Sequence, residues 1–529
     1  MAKRKREDAA GQKQDAARKA IKAETNAQKE KQIPSPDQQP PSTVTVQIIT
    51  GSYERVLHGI TATISKPSTD DESASQTVQF VDNFLFQAHS SAIRCLALGP
   101  LPDQASPGSL KVVLASGGTD ERVNLYTLSA SPPLTDDKSS SIPTLAGNKI
   151  LENPKNRELG SLMHHSSAIT ALYFPTGSKL LSAAEDNTIA VTRTRDWSVV
   201  STIKAPRPKV QDRPSGDTAP PGGAPAGVND FAVHPSMKLM LTVGRGEKCM
   251  RLWNLVTGKR AGVLNFDRHI LESVLEGKHS TGEGRRISWN FEGEEFTVAF
   301  ERGAVVFGID SVPTRVILPS PRTKLHQMKY IDVGMSGASK RQLLALSTED
   351  GRILFYSTKA SDPTQTKSTD NSKPAIPAAQ LIAQLGGRDH GRSGRIKDFE
   401  SLPVTAQGWN SAFLVVTSGS DGAVKIWMLT EGEFHSSGAE SAKTERNLKS
   451  SSKGQNGASP SATSAVAQVG KLLGMYESGN RITCMKAFIM LAPENGEIDD
   501  SDLSESEQEE EADDDDDDDD DNSESENEN

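Results

Sequence analysis

Two sets of residues have the composition of a proton relay. His89, Ser116 and Asp120 form one and His165, Ser182 and Asp186 the other, with a Ser-to-Asp step of four residues in both. Ser, His and Asp together can run nucleophilic acyl transfer, the imidazole taking the serine proton while the carboxylate holds the ring. The surrounding sequence does not support that chemistry. It contains no GxSxG elbow, P-loop, HExxH, kinase set or long dinucleotide fingerprint. Gly117-Gly118 and Gly386-Gly387 are short turn signals without the flanks of a phosphate cradle, and the Asp-Gly turns lack the alternating carboxylates of a calcium loop. We therefore assign no catalytic residue, no cofactor and no metal, and expect the chain not to be an enzyme.

The elements that hold these residues explain their repetition. His89-Ser-Ser-Ala-Ile93 and His165-Ser-Ser-Ala-Ile169 are identical over five residues. After each comes an apolar strand, a second strand ending in Ser, a turn with Asp and a third strand, Val123–Tyr126 in one case and Ile189–Val191 in the other. The third-strand pattern returns at Met250–Asn254, Ala304–Phe307, Ile353–Tyr356 and Val424–Trp427. Asp350-Gly351 and Asp421-Gly422 precede two of these, and Gly there permits the positive φ of a tight hairpin. Each unit is a β-meander, and a period of this size marks a repeat architecture.

First strands begin near Ala92, Ala168, Val228, Arg285, Leu325, Arg395 and Arg481, which makes seven. The last has no strands after it, while residues 44–86 supply three strands without a first partner. The two remnants complete one another, so the expected fold is all-β: a seven-bladed WD40-type β-propeller over 43–490, with one blade closed by strands from 44–86 and 481–488. Closure of this kind removes exposed sheet edges. Loop inserts are expected at 129–155, 206–227, 359–373 and 431–464, where Pro, Gly, Ser and charge dominate. In such a blade His, Ser, Asp and an aromatic residue bond across the strands. His89, Ser116 and Asp120 are therefore read as staples with Tyr126 in the aromatic slot, and His165, Ser182 and Asp186 as staples with Thr192 there. Trp253 and Trp427 occupy that slot in blades without the His.

The net charge of -11 averages two opposite regions. Residues 494–529 hold 22 Asp and Glu and no Lys or Arg, so the chain upstream carries +11. Such a segment, with its unbroken Asp513–Asp521 run, cannot pack a core, and 491–529 is expected to be a disordered acidic tail. Ser beside Glu, as at Ser504-Glu505, suits acidophilic kinases. Residues 1–42 read as a disordered basic arm. Lys3, Arg4, Lys5 and Arg6 at its start have the composition of an importin-type nuclear-localisation signal, or of a solubilising arm. Arg285-Arg286, Arg322 with Lys324, and the stretch from Arg388 to Lys397 carry positive charge that is either scattered or a patch for rRNA or an acidic partner. Cys95, Cys249 and Cys484 lie far apart in apolar runs and read as buried small hydrophobes in a reducing compartment. No apolar run is long enough to span a membrane, so a soluble intracellular protein is expected.

Gly51-Ser-Tyr-Glu54, Phe86–Ile93, Glu158–Leu162, His165–Leu172, Leu181–Asn187, Asn229-Asp230, His234-Pro235 and Arg251–Leu255 together resemble one WD-repeat family. It is that of the p21-activated-kinase-interacting proteins, whose yeast member is maintenance-of-killer protein eleven. The resemblance covers about 45–360 well and weakens toward Phe488. It implies a nucleolar, non-enzymatic scaffold for assembly of the large (60S) ribosomal subunit and rRNA processing. The implied partners are pre-ribosomal proteins and pre-rRNA. Because a closed ring has no edge to pair, a monomer within a larger particle is expected, and without a spanning apolar run no membrane contact is. It also implies an alternative, negative regulation of a p21-activated-type protein kinase by direct binding. The inserts at 129–155, 206–227 and 431–464 and the missing aromatic at Thr192 depart from the family pattern.

Overall fold

The computed structural model describes residues 43–66, 78–102, 110–132, 141–143, 149–207, 227–277, 280–334, 341–359, 375–387, 394–404, 409, 412–436 and 466–491. The arm with Lys3, Arg4, Lys5 and Arg6, the acidic residues 492–529 and most of the four inserts lie outside these. Seven sheets form a closed β-propeller. Their innermost strands, in ring order, are Ile482–Ile489, Ile93–Leu98, Ile169–Thr176, Val228–Val233, Arg286–Trp289, Leu325–Val333 and Ile396–Pro403, and each packs beside the next around a central channel. The blades are numbered 1 to 7 in that order.

Blade 1 joins the two ends of the folded region. Val44–Ser52 pairs antiparallel with Ile482–Ile489 on one side and with Val56–Ile64 on the other, and Val78–Gln87 follows outside. Side chains extend this closure to both neighbouring blades. Thr483 donates from its hydroxyl to the Ile93 carbonyl at 2.6 Å, and the Asp398 carboxylate accepts the Met485 N–H at 3.0 Å. Between blades 7 and 1, Leu414, Val416 and Ile426 pack on Ile48, Ile60 and Met485, all fully buried. Each such side chain removed from water contributes roughly 1.5–3 kcal/mol, so the junction is as apolar as any other in the ring.

The tight turns use the expected backbone. Gly351 and Gly422 have φ of 81° and 86°, and in blades 2 and 3 Glu121 and Asn187 take the same left-handed conformation at 68° and 65°. Among the described residues Gly117 and Gly118 end the strand Lys111–Gly118 rather than forming a free turn. A Cβ on Gly117 would lie 2.7 Å from Ile169 of the next blade, so the glycine permits close blade packing.

Four readings are corrected. Blades 2 to 7 each have a fourth, outer strand, such as Val199–Lys204 in blade 3 and Lys259–Asn265 in blade 4, where three were counted. These strands touch the sheet on one side only and are mostly exposed, so they carry little of the apolar alternation that reveals the inner three. The insert at 129–155 is not all loop, because Ser141–Pro143 and Lys149–Leu151 form a hairpin. Its second strand lies parallel to Val78–Gln87 through Asp82 and Ile150, covering the outer edge of blade 1. The 431–464 insert begins with a helix, Glu431–Ser436, that buries Phe434 against Phe355 and Phe413 at ring separations of 5.3 and 6.0 Å. A single large aromatic in a polar stretch was enough to order it. Of the cysteines Cys484 is buried, but Cys95 and Cys249 are only partly so; all three are free thiols.

Candidate interaction surface

The staple residues meet as two similar relays. In blade 2, His89 lies with Nδ1 2.9 Å from Asp120 Oδ1 and Nε2 2.8 Å from Ser116 Oγ. The carboxylate holds the ring proton on Nδ1, so Nε2 accepts from the serine hydroxyl. Asp120 also accepts the Ser90 N–H at 3.0 Å; burial raises its pKa, but the bond and charge of His89 together with the backbone N–H groups of Ser90 and Arg122 hold it below the ordinary carboxylate range. The Tyr126 hydroxyl stands close to Ser116, and its pKa is pushed up to about 12, first by burial and then by Glu158. A Cβ on Gly118 would fall 2.4 Å from Asp120 Oδ1 and 2.7 Å from His89 Nδ1, so only glycine leaves room for that pair.

In blade 3, His165 Nδ1 is 3.2 Å from Asp186 and its Nε2 is 2.8 Å from Ser182 Oγ. Thr192 is fully buried and cannot supply the missing aromatic, and its hydroxyl has no partner among the described residues. His164 stands in instead: its Nε2 is 2.9 Å from Ser182 Oγ and its ring centroid is 4.4 Å from that of His165. Burial first, and His165 second, push the His164 pKa down to about 4, which keeps it neutral. In blades 4 and 7 the indole N–H of Trp253 donates to Thr242 Oγ1 at 2.9 Å, and that of Trp427 to Thr417 Oγ1 at 3.2 Å. The serine and histidine side chains of both relays are buried inside the blades, which gives a reacting substrate no approach to either hydroxyl.

The surface open to partners is the ring's two mouths. Where the inner strands begin, Arg94, Thr170, Asn229, His326 and Lys397 occupy their strands' second positions. A polar cavity of about 270 Å³ opens here among Arg94, Arg245, Arg285, Arg286 and His326. Glu185 bridges Arg94 at 2.7 Å and Arg245 at 2.8 Å; Glu301 takes Lys324 at 3.0 Å; Glu349 takes Arg395 at 3.2 Å; and Asp230 lies 3.8 Å from Arg286. Lys397 makes no ion pair with another described residue, and Arg481 instead sits over the Tyr53 ring at 5.5 Å. Deeper in the channel Glu400 accepts from Lys329 at 2.6 Å and Lys486 at 2.8 Å, linking blades 6, 7 and 1.

At the other mouth the described residues of blades 3 to 5 expose large apolar side chains. Tyr173, Met237 and Phe291 are 44, 41 and 52 % exposed there, around a hollow of about 450 Å³ floored by Phe231 and Trp289.

Comparison with known proteins agrees with this architecture. Residues 156–191, which span the outer strand of blade 2 and most of blade 3, match the model described as "WD domain, G-beta repeat". The propeller carries a WD repeat. Protein MAK11 of Saccharomyces cerevisiae is 26 % identical over 410 residues, covering 73 % of this chain and 78 % of the yeast protein. The p21-activated protein kinase-interacting protein 1-like of Gallus gallus is 22 % identical over 384 residues, 73 % of each chain. Shk1 kinase-binding protein 15 of Schizosaccharomyces pombe is 24 % identical over 310 residues, 58 % of this chain and 68 % of the relative.

The WD-repeat residues that escaped the sequence are His164, Thr242 and Thr417. A signal for the threonines exists: a hydroxyl precedes the aromatic slot by ten or eleven residues in Ser116/Tyr126, Thr242/Trp253 and Thr417/Trp427. Blade 1 uses other residues, with His58 Nε2 2.9 Å from Asp82, which also accepts from the Tyr476 hydroxyl of blade 7 at 2.6 Å. Of the basic stretches, Arg285, Arg286, Lys324, Arg395 and Lys397 collect at the polar mouth, whereas Arg322 bonds to carbonyls 274 and 275, and 388–393 lie outside the described residues.

Proposed function

We propose that the chain is a non-enzymatic platform in nucleolar assembly of the large ribosomal subunit, holding pre-ribosomal proteins, and pre-rRNA through them, during processing. The observation that carries this reading is the polarity of the ring, with a cationic mouth at one end of the channel and an apolar mouth at the other. Two unlike surfaces on one closed body suit it to holding two unlike partners together. The similarity to MAK11 supports the ribosomal setting that the family resemblance implies. The 22 carboxylates of 494–529 suit company with basic ribosomal proteins, which a long-range field of that sign attracts. The basic start supports nuclear entry.

The test is purification of the tagged full-length protein with sizing of the RNA that accompanies it. Pre-ribosomal RNA with large-subunit proteins is the expected result. A protein kinase recovered without RNA would overturn it in favour of a second reading, kinase regulation by direct binding, which the names of the chicken and fission-yeast relatives favour.

A further inference from the structure

The polar mouth is unevenly charged. On the side of blades 2 to 4, Glu185 and Asp230 face the arginines. On the side of blades 6, 7 and 1, cations crowd one another: among the described residues Lys324 pairs with Glu301 and Arg395 with Glu349, while Lys397 and Arg481 stand beside them, with Glu54 turned to the backbone N–H of Arg481. Lys397 and Arg481 make no ion pair with another described residue. The strain of this crowding is visible in the ionisation of its members. The Lys397 ammonium pKa is pushed down by burial and then by Arg395, Arg481 and Lys324, against the pull of Glu349. The His326 pKa is pushed down to about 4 by burial and then by Lys397, Arg395, Lys324 and Arg286. Like charges held together by a rigid ring oppose folding, and an anion that enters relieves them.

We propose that this sector of the channel mouth binds a phosphate group carried by a protein segment, a phosphorylated serine or threonine that enters the ring end-on. Two unpaired cations match the charge of a phosphate near neutral pH, and the neighbouring imidazole can gain a proton as the anion arrives. The shape separates this ligand from nucleic acid. A nucleic-acid backbone needs charges spread along a track to neutralise successive phosphates, whereas these converge from three adjacent blades on the end of one channel. The inference rests on the reading of the protein as an interaction platform and names the chemistry that one of its mouths recognises.

The experiment titrates inorganic phosphate, then phosphoserine and serine forms of one short peptide, into the full-length protein, following the ring resonances of His326 by NMR. Expected is a saturable shift with phosphate and with the phosphoserine peptide, none with the serine peptide, and a His326 pKa that rises from about 4 in the bound state. Lys397→Gln and Arg481→Gln should each weaken binding about tenfold or more, while the surface variant Lys259→Gln should leave it unchanged. Arg481 is exposed, so its variant reports on binding even if Lys397→Gln folds poorly. No saturable binding, or binding equal in the Arg481 variant, overturns the site. Displacement of phosphate by single-stranded RNA but not by the phosphoserine peptide overturns the protein ligand. Phosphate binding in a protein that recovers no pre-ribosomal particles would instead sink the platform reading and leave the site standing.

Discussion

His164 lies 2.9 Å from Ser182 through its Nε2, where blade 2 places Tyr126 beside its own serine. A histidine one position before the staple histidine thus replaces an aromatic that should come from a strand across the blade. The proton order is fixed from one end: Asp186 takes the His165 Nδ1 proton, Ser182 donates to His165, and His164 donates to Ser182. Replacing His164 by Ala removes one bond and one ring contact, and should lower stability by about 1 kcal/mol. Equal denaturation midpoints for His164→Ala and the parent protein would show that Ser182 does not need it.

Gly118 and Asp120 should behave as one unit. Gly118→Ala forces a Cβ into the space that the Asp120 and His89 side chains share. It should cost about as much as Asp120→Ala, which leaves a buried imidazole N–H unbonded at about 1–3 kcal/mol. The double variant should then be no worse than either single one, because residues in contact are not additive. Additive losses in a urea-denaturation cycle would place the effect of Gly118 elsewhere.

Ring closure can be tested from the chain's end. Met490 and Leu491 still donate to the carbonyls of Thr45 and Ala130, so the blade needs the chain as far as Leu491. Ending it after Gly479 should abolish cooperative melting, whereas removing 492–529 should leave the midpoint unchanged. Thr483→Val, which gives up the bond to Ile93, should fall between them. A chain ending at Gly479 that still melts cooperatively near the parent midpoint would refute closure through 482–489.

Acid should begin to destabilise the protein before its carboxylates protonate. His164 and His326 have folded-state pKa values of about 4, below the ordinary histidine value of 6.5, so the unfolded chain binds more protons between those limits. Stability therefore rises with pH across that window and falls as pH drops from about 6.5 toward 4. Melting at several pH values should give a flatter profile for the His164→Asn, His326→Gln double variant. An unchanged slope would mean that neither ring resists protonation.

Much of this was legible because buried strands write their burial into sequence. Leu114, Leu125 and Ile169 stand in short apolar runs bounded by turn residues, and the Asp-containing turns are fixed by backbone rules that leave few residue choices. The outer strands were hidden because Val199–Lys204 has one covered face and little apolar signal. His164 was hidden because its role is set by an absence two strands away, at Thr192. The polar mouth was visible only as basic stretches, since its unity comes from inner strands beginning at the same end of the ring.

The pairing of Val44–Ser52 with Ile482–Ile489 also sets a timetable. The first strand leaves the ribosome long before its inner partner, and at about 5–20 residues per second the wait lasts on the order of 20–90 s. During that interval a nine-residue strand that will be almost wholly buried has one edge unpaired, and the six blades that follow can build while the ring stays open. Newly made protein is therefore most prone to clump just before residues 482–489 emerge, and a companion that shields Val44–Ser52 until then would raise the yield of closed rings without touching the finished surface.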